Sequence, residues 1–70
     1  MAVKIAKPKP SASASVVNGK VQITASVYGK SNTQSFPAKS DRYPVPVGDY
    51  YVYVTVEVSG SKATVTKTEF

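Results

Sequence analysis

The sequence contains no cysteine, no histidine and no tryptophan. Without Cys there is neither a disulfide framework nor a thiolate metal site. Without His there is no general base poised near neutral pH, no Ser-His pair and no imidazole ligand for zinc. Carboxylates are few: Asp41, Asp49, Glu57 and Glu69 are the whole set. Ser and Lys are abundant, yet nothing singles out one Ser and one Lys as a nucleophile and its base, so the chain reads as a non-enzyme that uses no cofactor and no metal. Two carboxylates flanking a Pro-rich stretch, Asp41 and Asp49, are too few for a dedicated calcium site and read better as turn residues. No secretory h-region and no run of about 18 apolar residues occurs, so the given chain shows no signal peptide and no transmembrane segment, and its compartment stays open.

What remains is enough to fold. The 70 residues fit one domain, 1–70, and 41% hydrophobic against 19% charged residues is an ordinary soluble composition. With no covalent staple, so short a chain must bury nearly every Val, Ile and Phe in one tight core or share a core with another copy of itself. Self-association is therefore an expectation of size alone.

Alternation of period two runs through the sequence, and no stretch repeats apolar residues at helical spacing, so helix content should be near zero. The strongest segment is 51–58, where Val52, Val54, Val56 and Val58 face one way and Tyr51, Tyr53, Thr55 and Glu57 the other. After Ser59-Gly60-Ser61, Ala63 and Val65 alternate with Thr64, Thr66 and Thr68, which completes a hairpin. A two-residue Ser59-Gly60 loop places Val56 opposite Ala63 and Val54 opposite Val65, and a four-residue loop of the same parity also keeps the apolar faces together. A second hairpin turns at Asn18-Gly19, whose residues suit the two positive φ angles of a type I′ turn. Pairing Val17 with Lys20 then puts Ala12, Ala14 and Val16 on one face with Val21, Ile23, Ala25 and Val27. Ser11, Ser13, Ser15, Gln22, Thr24 and Ser26 fall on the other.

At the N-terminus Val3 and Ile5 suggest a short strand, followed by Lys7-Pro8-Lys9-Pro10 as an extended corner, so residues 1–10 form a basic Lys/Pro arm. Between the hairpins, residues 29–49 are too long for a structureless loop in a compact domain. A short strand is expected near Thr33 to Phe36, with Phe36 as an anchor, and another near Tyr43 to Val47, held to a sheet edge by Pro44 and Pro46. The Val-rich strand, with Glu57 as its single charge, would be an aggregation hazard at an edge, so it should be central or paired between subunits. The architecture expected is all-β, a small antiparallel β-sandwich or a compact barrel of about five to seven strands.

The segment Val45-Pro46-Val47-Gly48-Asp49-Tyr50-Tyr51-Val52-Tyr53-Val54 resembles the Pro-x-Gly-x-Tyr-x-Val element of carboxypeptidase-regulatory-like, transthyretin-like and other bacterial immunoglobulin-like sandwiches. Asn18 to Lys30 is similar to the strand-and-Gly pattern of bacterial Ig-like repeats. The resemblance implies an Ig-like sandwich serving as a non-catalytic spacer, adhesion unit or assembly surface. The chain departs from that pattern in its length and in having no core Trp, where the usual sandwich has about 100 residues and seven strands.

The net charge of +5 favours an anionic partner such as nucleic acid or an acidic glycan. Lys4, Lys7 and Lys9 gather in the arm, whereas the other basic residues scatter. Tyr51 and Tyr53 share a strand face, Tyr28 is expected on the polar face of the first hairpin, and with Arg42 they could form a stacking surface for bases or sugars. Cross-strand packing accounts for the same tyrosines. Alternating hairpins can also join a membrane barrel, but dry faces are equally what a soluble core needs, so a membrane partner is disfavoured. The sequence thus favours a non-catalytic binding or structural module that self-associates or docks on another protein through its sheets. The alternative is a basic β-barrel binding single-stranded nucleic acid or another polyanion.

Overall fold

The computed structural model describes residues 9–70, and within them the chain is all-β. The strands are β1 (Ser11–Val17), β2 (Lys20–Val27), β3 (Lys30–Pro37), β4 (Asp41–Val47), β5 (Tyr50–Ser59) and β6 (Lys62–Glu69). They form two three-stranded antiparallel sheets in the orders β1-β2-β3 and β4-β5-β6, each a simple meander with the middle strand central. The Val3–Ile5 strand expected from the sequence, together with Lys4 and Lys7, lies outside the described residues.

Turn chemistry sets the register. Asn18 and Gly19 take φ of 52° and 75° and close β1 on β2 with Val17 opposite Lys20, so Ala14 faces Ile23 and Val16 faces Val21 as the dipeptide implies. Tyr28 and Gly29 repeat this geometry between β2 and β3, with φ of 54° and 74°. The 29–49 segment is thus mostly ladder, and β3 is longer than the strand expected near Thr33 to Phe36 because its tight turn starts it at Lys30. Gly48 supplies a positive φ before Asp49 and closes β4 on β5, with Val47 opposite Tyr50. β4 stops at Val47 and is an edge strand, the place its two prolines permit.

The last hairpin corrects the expected turn. Its two loop residues are Gly60 and Ser61, one position later than Ser59-Gly60, so Val58 rather than Val56 faces Ala63, and Val56 faces Val65. Parity is unchanged, and the apolar faces still coincide. A register shift at Thr55/Val56 then inserts a bulge, beyond which Val54 faces Thr68 instead of continuing the Val65 row.

The core lies between the sheets. Val21, Ile23, Ala25 and Val27 of β2 meet Val45 and Val47 of β4 and Val52, Val54 and Val56 of β5, all buried. β5, the strand most prone to aggregate, is therefore central in its sheet and covered on its apolar face. β1 and β6 contribute small or partly buried residues: Ala12, Ala14, Ala63 and Val65 pack on the margin of the core. At the other margin the Phe36 ring stacks on Tyr43 with centroids 4.5 Å apart.

Candidate functional site

The outer face of the second sheet collects the most distinctive exposed side chains. Because Val47 pairs with Tyr50, Pro46 falls opposite Tyr51, Pro44 opposite Tyr53 and Arg42 opposite Thr55, and these residues turn outward while the intervening ones turn to the core. Tyr51 is 58% exposed and Tyr53 37%, large values for aromatic rings on a central strand. The Arg42 guanidinium lies over the Tyr53 ring, 4.5 Å from its centroid. Arg42 Nη2 also sits 3.5 Å from Glu69 Oε1, and Lys67 Nζ is 3.8 Å from the other oxygen of the same carboxylate. The resulting surface has two tyrosines, two prolines and two cations that share the Glu69 carboxylate. The signal that places Arg42 beside Tyr53 is the Gly48-Asp49 turn, since a two-residue loop fixes which residues of β4 share a face with the tyrosines.

Tyr28 is not part of this surface, contrary to expectation. It occupies the turn between β2 and β3 with φ of 54°, so its side chain leaves the strand alternation. Its ring lies 5.0 Å from Tyr50 and 5.8 Å from Phe70, and Tyr50 and Phe70 are 5.7 Å apart, making a three-ring cluster at one end of the molecule. Lys30 reaches across at this end as well, because a Cβ built on Gly48 would stand 2.9 Å from its Cδ. Lys9 is exposed and precedes β1. The sequence-derived set thus divides: Arg42, Tyr51 and Tyr53 come together, Tyr28 packs elsewhere, and Lys4 and Lys7 lie outside the described residues.

Tyr43 is the functional-looking residue that sequence reasoning missed, and its role is structural. Its hydroxyl donates to the carbonyls of Lys39 at 2.8 Å and Pro37 at 3.1 Å, one proton shared between two acceptors of the link from β3 to β4. Burial pushes the phenol above its ordinary value, the Asp41 carboxylate adds to that rise, and the bond to the Lys39 carbonyl opposes it. Asp41 itself accepts the Arg42 backbone N–H at 2.7 Å, a local turn-like bond rather than a ligand geometry. Among the described residues no group of three or more His, Cys, Asp or Glu is placed to hold a metal ion.

The first sheet turns a different face outward. Cross-strand rows run Ser11-Ser26-Ser31, Ser13-Thr24-Thr33 and Ser15-Gln22-Ser35. Ser11 and Ser26 hydroxyls are 2.7 Å apart, and those of Thr24 and Thr33 2.8 Å. Charge is divided in a way that total composition hides. Residues 1–40 carry six lysines and no acid, whereas residues 41–70 hold all four carboxylates against Arg42, Lys62 and Lys67. The net positive charge therefore belongs to the first half, while the tyrosine surface belongs to the second.

No family model matches the chain, and neither the curated proteins nor the solved structures contain a match to it.

Proposed function

We propose that the chain is a non-catalytic binding or structural module that associates through its sheets, with itself or with another protein. The observation that carries this reading is the outer face of β4 and β5, where Tyr51, Tyr53, Pro44 and Pro46 form an exposed, largely apolar surface with Arg42 held on Tyr53. Tyr and Arg are the residues that most often anchor protein interfaces, and a ring already stacked under a guanidinium loses little side-chain freedom on docking. This is the kind of role that the resemblance to Ig-like assembly modules also implies.

The polyanion reading rests on the lysines of residues 1–40; of those the structure describes, Lys20 and Lys30 lie on β2 and β3, in the other sheet from Tyr51 and Tyr53, and Lys30 reaches toward Gly48. Arg42, the cation that lies over the Tyr53 ring, is engaged by Glu69. A track for single-stranded nucleic acid interleaves cations and exposed rings along one groove. The two readings part on one measurement: retention of the full chain on single-stranded DNA and on heparin at rising salt, beside its sedimentation at rising protein concentration. Concentration-dependent mass, with retention unchanged by Tyr53→Ala, is the expected result. Steeply salt-dependent retention that weakens in Tyr53→Ala, with a monomer at every concentration, would replace the first reading by the second.

A further inference from the structure

Every sheet edge offers backbone groups to another strand, and among the described residues each edge is managed except one. In a two-residue hairpin the residues flanking the turn bond to each other, so alternate residues beyond them direct N–H and C=O away from the partner. On β4 the outward positions are Arg42, Pro44 and Pro46. The two prolines have no N–H to offer, and the Arg42 N–H is taken by the Asp41 carboxylate at 2.7 Å. On β3 the outward positions include Thr33, whose N–H is taken by Asn32 Oδ1 at 2.9 Å, and Pro37, which has none. β6 is interrupted by the shift at Thr55/Val56 and carries Lys62, Lys67 and Glu69. Bulges, charges, prolines and side-chain caps are the devices by which native edges avoid pairing.

β1 has none of these. Its seven residues, Ser-Ala-Ser-Ala-Ser-Val-Val, hold no charge and no proline, its pairing with β2 is unbroken, and no strand among the described residues pairs with its other side. Since Val17 and Lys20 flank the turn, Ala12, Ala14 and Val16 are the residues whose N–H and C=O point outward. We propose that this edge pairs antiparallel with β1 of a second copy about a two-fold axis at Ala14, joining two three-stranded sheets into one of six. The inference rests on the reading above that the chain assembles through its sheets, and it names the strand and the register.

The register follows from parity. With Ala14 opposite Ala14 of the second copy, Ala12 meets Val16 and Ser13 meets Ser15, so apolar side chains extend the core face and hydroxyls extend the outer face. A shift by one residue would set Ser against Ala on both faces and misalign the outward groups. Charge selects the partner. On a chain of net charge +5, β1 is, among the described edge strands, the one at which two copies meet without a charged side chain in the ladder. Pro10 before the strand and the Asn18-Gly19 turn after it confine the pairing to Ser11–Val17. The half-buried Ala12, Ala14 and Val16 side chains lie next to the same edge and would be covered further by the second copy.

The test uses the full chain and four variants, followed by sedimentation across concentration and by amide exchange. The wild type should pass from monomer to dimer, and the Ala12, Ala14 and Val16 amides should gain protection with concentration. Ala14→Pro removes an outward N–H without breaking the ladder to β2, the arrangement β4 already uses at Pro44, and should weaken the dimer by at least about tenfold. S13K/S15K places like charges opposite each other and should also give a monomer, whereas S13K/S15E places opposite charges there and should retain the dimer. Ser13→Lys alone should fall between them. A dimer that survives Ala14→Pro and S13K/S15K would overturn the β1 edge while leaving sheet-mediated assembly intact. A monomer at every concentration would overturn both the edge and self-association, and protection of the three amides in that monomer would show that the chain covers its own edge.

Discussion

Asn32 spans the gap between the two sheets and donates from Nδ2 to the Pro46 carbonyl at 2.7 Å, while its Oδ1 accepts the N–H of Thr33 at 2.9 Å. Asn32 is aligned with Ala25 on the core side of β3, where a polar residue would carry a desolvation cost without a partner. One amide thus ties β3 to β4 and caps two edge groups.

Replacing Asn32 by Ala should cost about 1–2 kcal/mol, the range for losing a well-formed, partly buried pair of bonds. Asn32→Asp retains the acceptor for Thr33 but presents an oxygen to the Pro46 carbonyl, so it should destabilise at neutral pH by at least as much. Urea unfolding of the three proteins checks the order, and an Asp variant as stable as wild type would mean that the bond to Pro46 contributes nothing.

Tyr43 gives the fold a dependence on alkaline pH. The folded state holds the phenol proton more tightly than the unfolded chain does, so the associated stability is complete below the ordinary value of 10.0 and is lost as pH rises through the higher folded value. Tyr43→Phe should lower stability by about 1 kcal/mol at neutral pH and remove this residue's share of the alkaline loss. Chemical unfolding at neutral and alkaline pH reads both effects, and a variant with an unchanged alkaline slope would remove Tyr43 as the cause.

Core and surface valines should separate cleanly. Val54 is fully buried on the central strand β5, whereas Val17 is 43% exposed beside the first turn. Val54→Ala should cost about 2–3 kcal/mol, from two lost methyl groups at about 0.8 kcal/mol each together with the cavity left behind. Val17→Ala should stay within about 0.5 kcal/mol. Thermal unfolding of a domain this small would register the first as a large fall in midpoint.

The two prolines of β4 should matter for solubility more than for stability. Pro44→Ala and Pro46→Ala together restore two outward N–H groups on an exposed edge next to the tyrosine surface. The double variant should remain folded by circular dichroism and form larger species at concentrations where the wild type does not. Light scattering at matched concentrations decides this, and an unchanged profile would mean that the β4 edge is protected by Asn32 and Asp41 alone.

The division between what was legible and what was not follows the range of the forces involved. Alternation along a strand is imposed by local sterics, so the core faces of β2 and β5 could be read from spacing, and Asn18-Gly19 set the first register because only residues tolerant of positive φ fit there. Pro44 and Pro46 likewise announced an edge, since a proline cannot donate to an inner ladder. Of the surface, Tyr51 and Tyr53 were visible as neighbours on one face, but not the Glu69 carboxylate beside Arg42. That contact depends on the bulge at Thr55/Val56, which shifts Glu69 to the level of Tyr53 and has no marker in composition or period.

The sequence by itself determined that this is an all-β chain, which residues face the core within each hairpin, and that no histidine or cysteine chemistry is available to it. Only the tertiary structure decided that Tyr28 joins Tyr50 and Phe70 rather than the tyrosine surface, that Asn32 and Tyr43 fasten one sheet to the other, and that among the described strands β1 is an edge strand with no charge, proline or bulge. Periodicity reports the face on which a side chain lies, because that is fixed by the backbone geometry of its own strand. What that side chain meets depends on how the short link after Pro37 lays the second meander over the first, a relation between distant segments that no local pattern encodes.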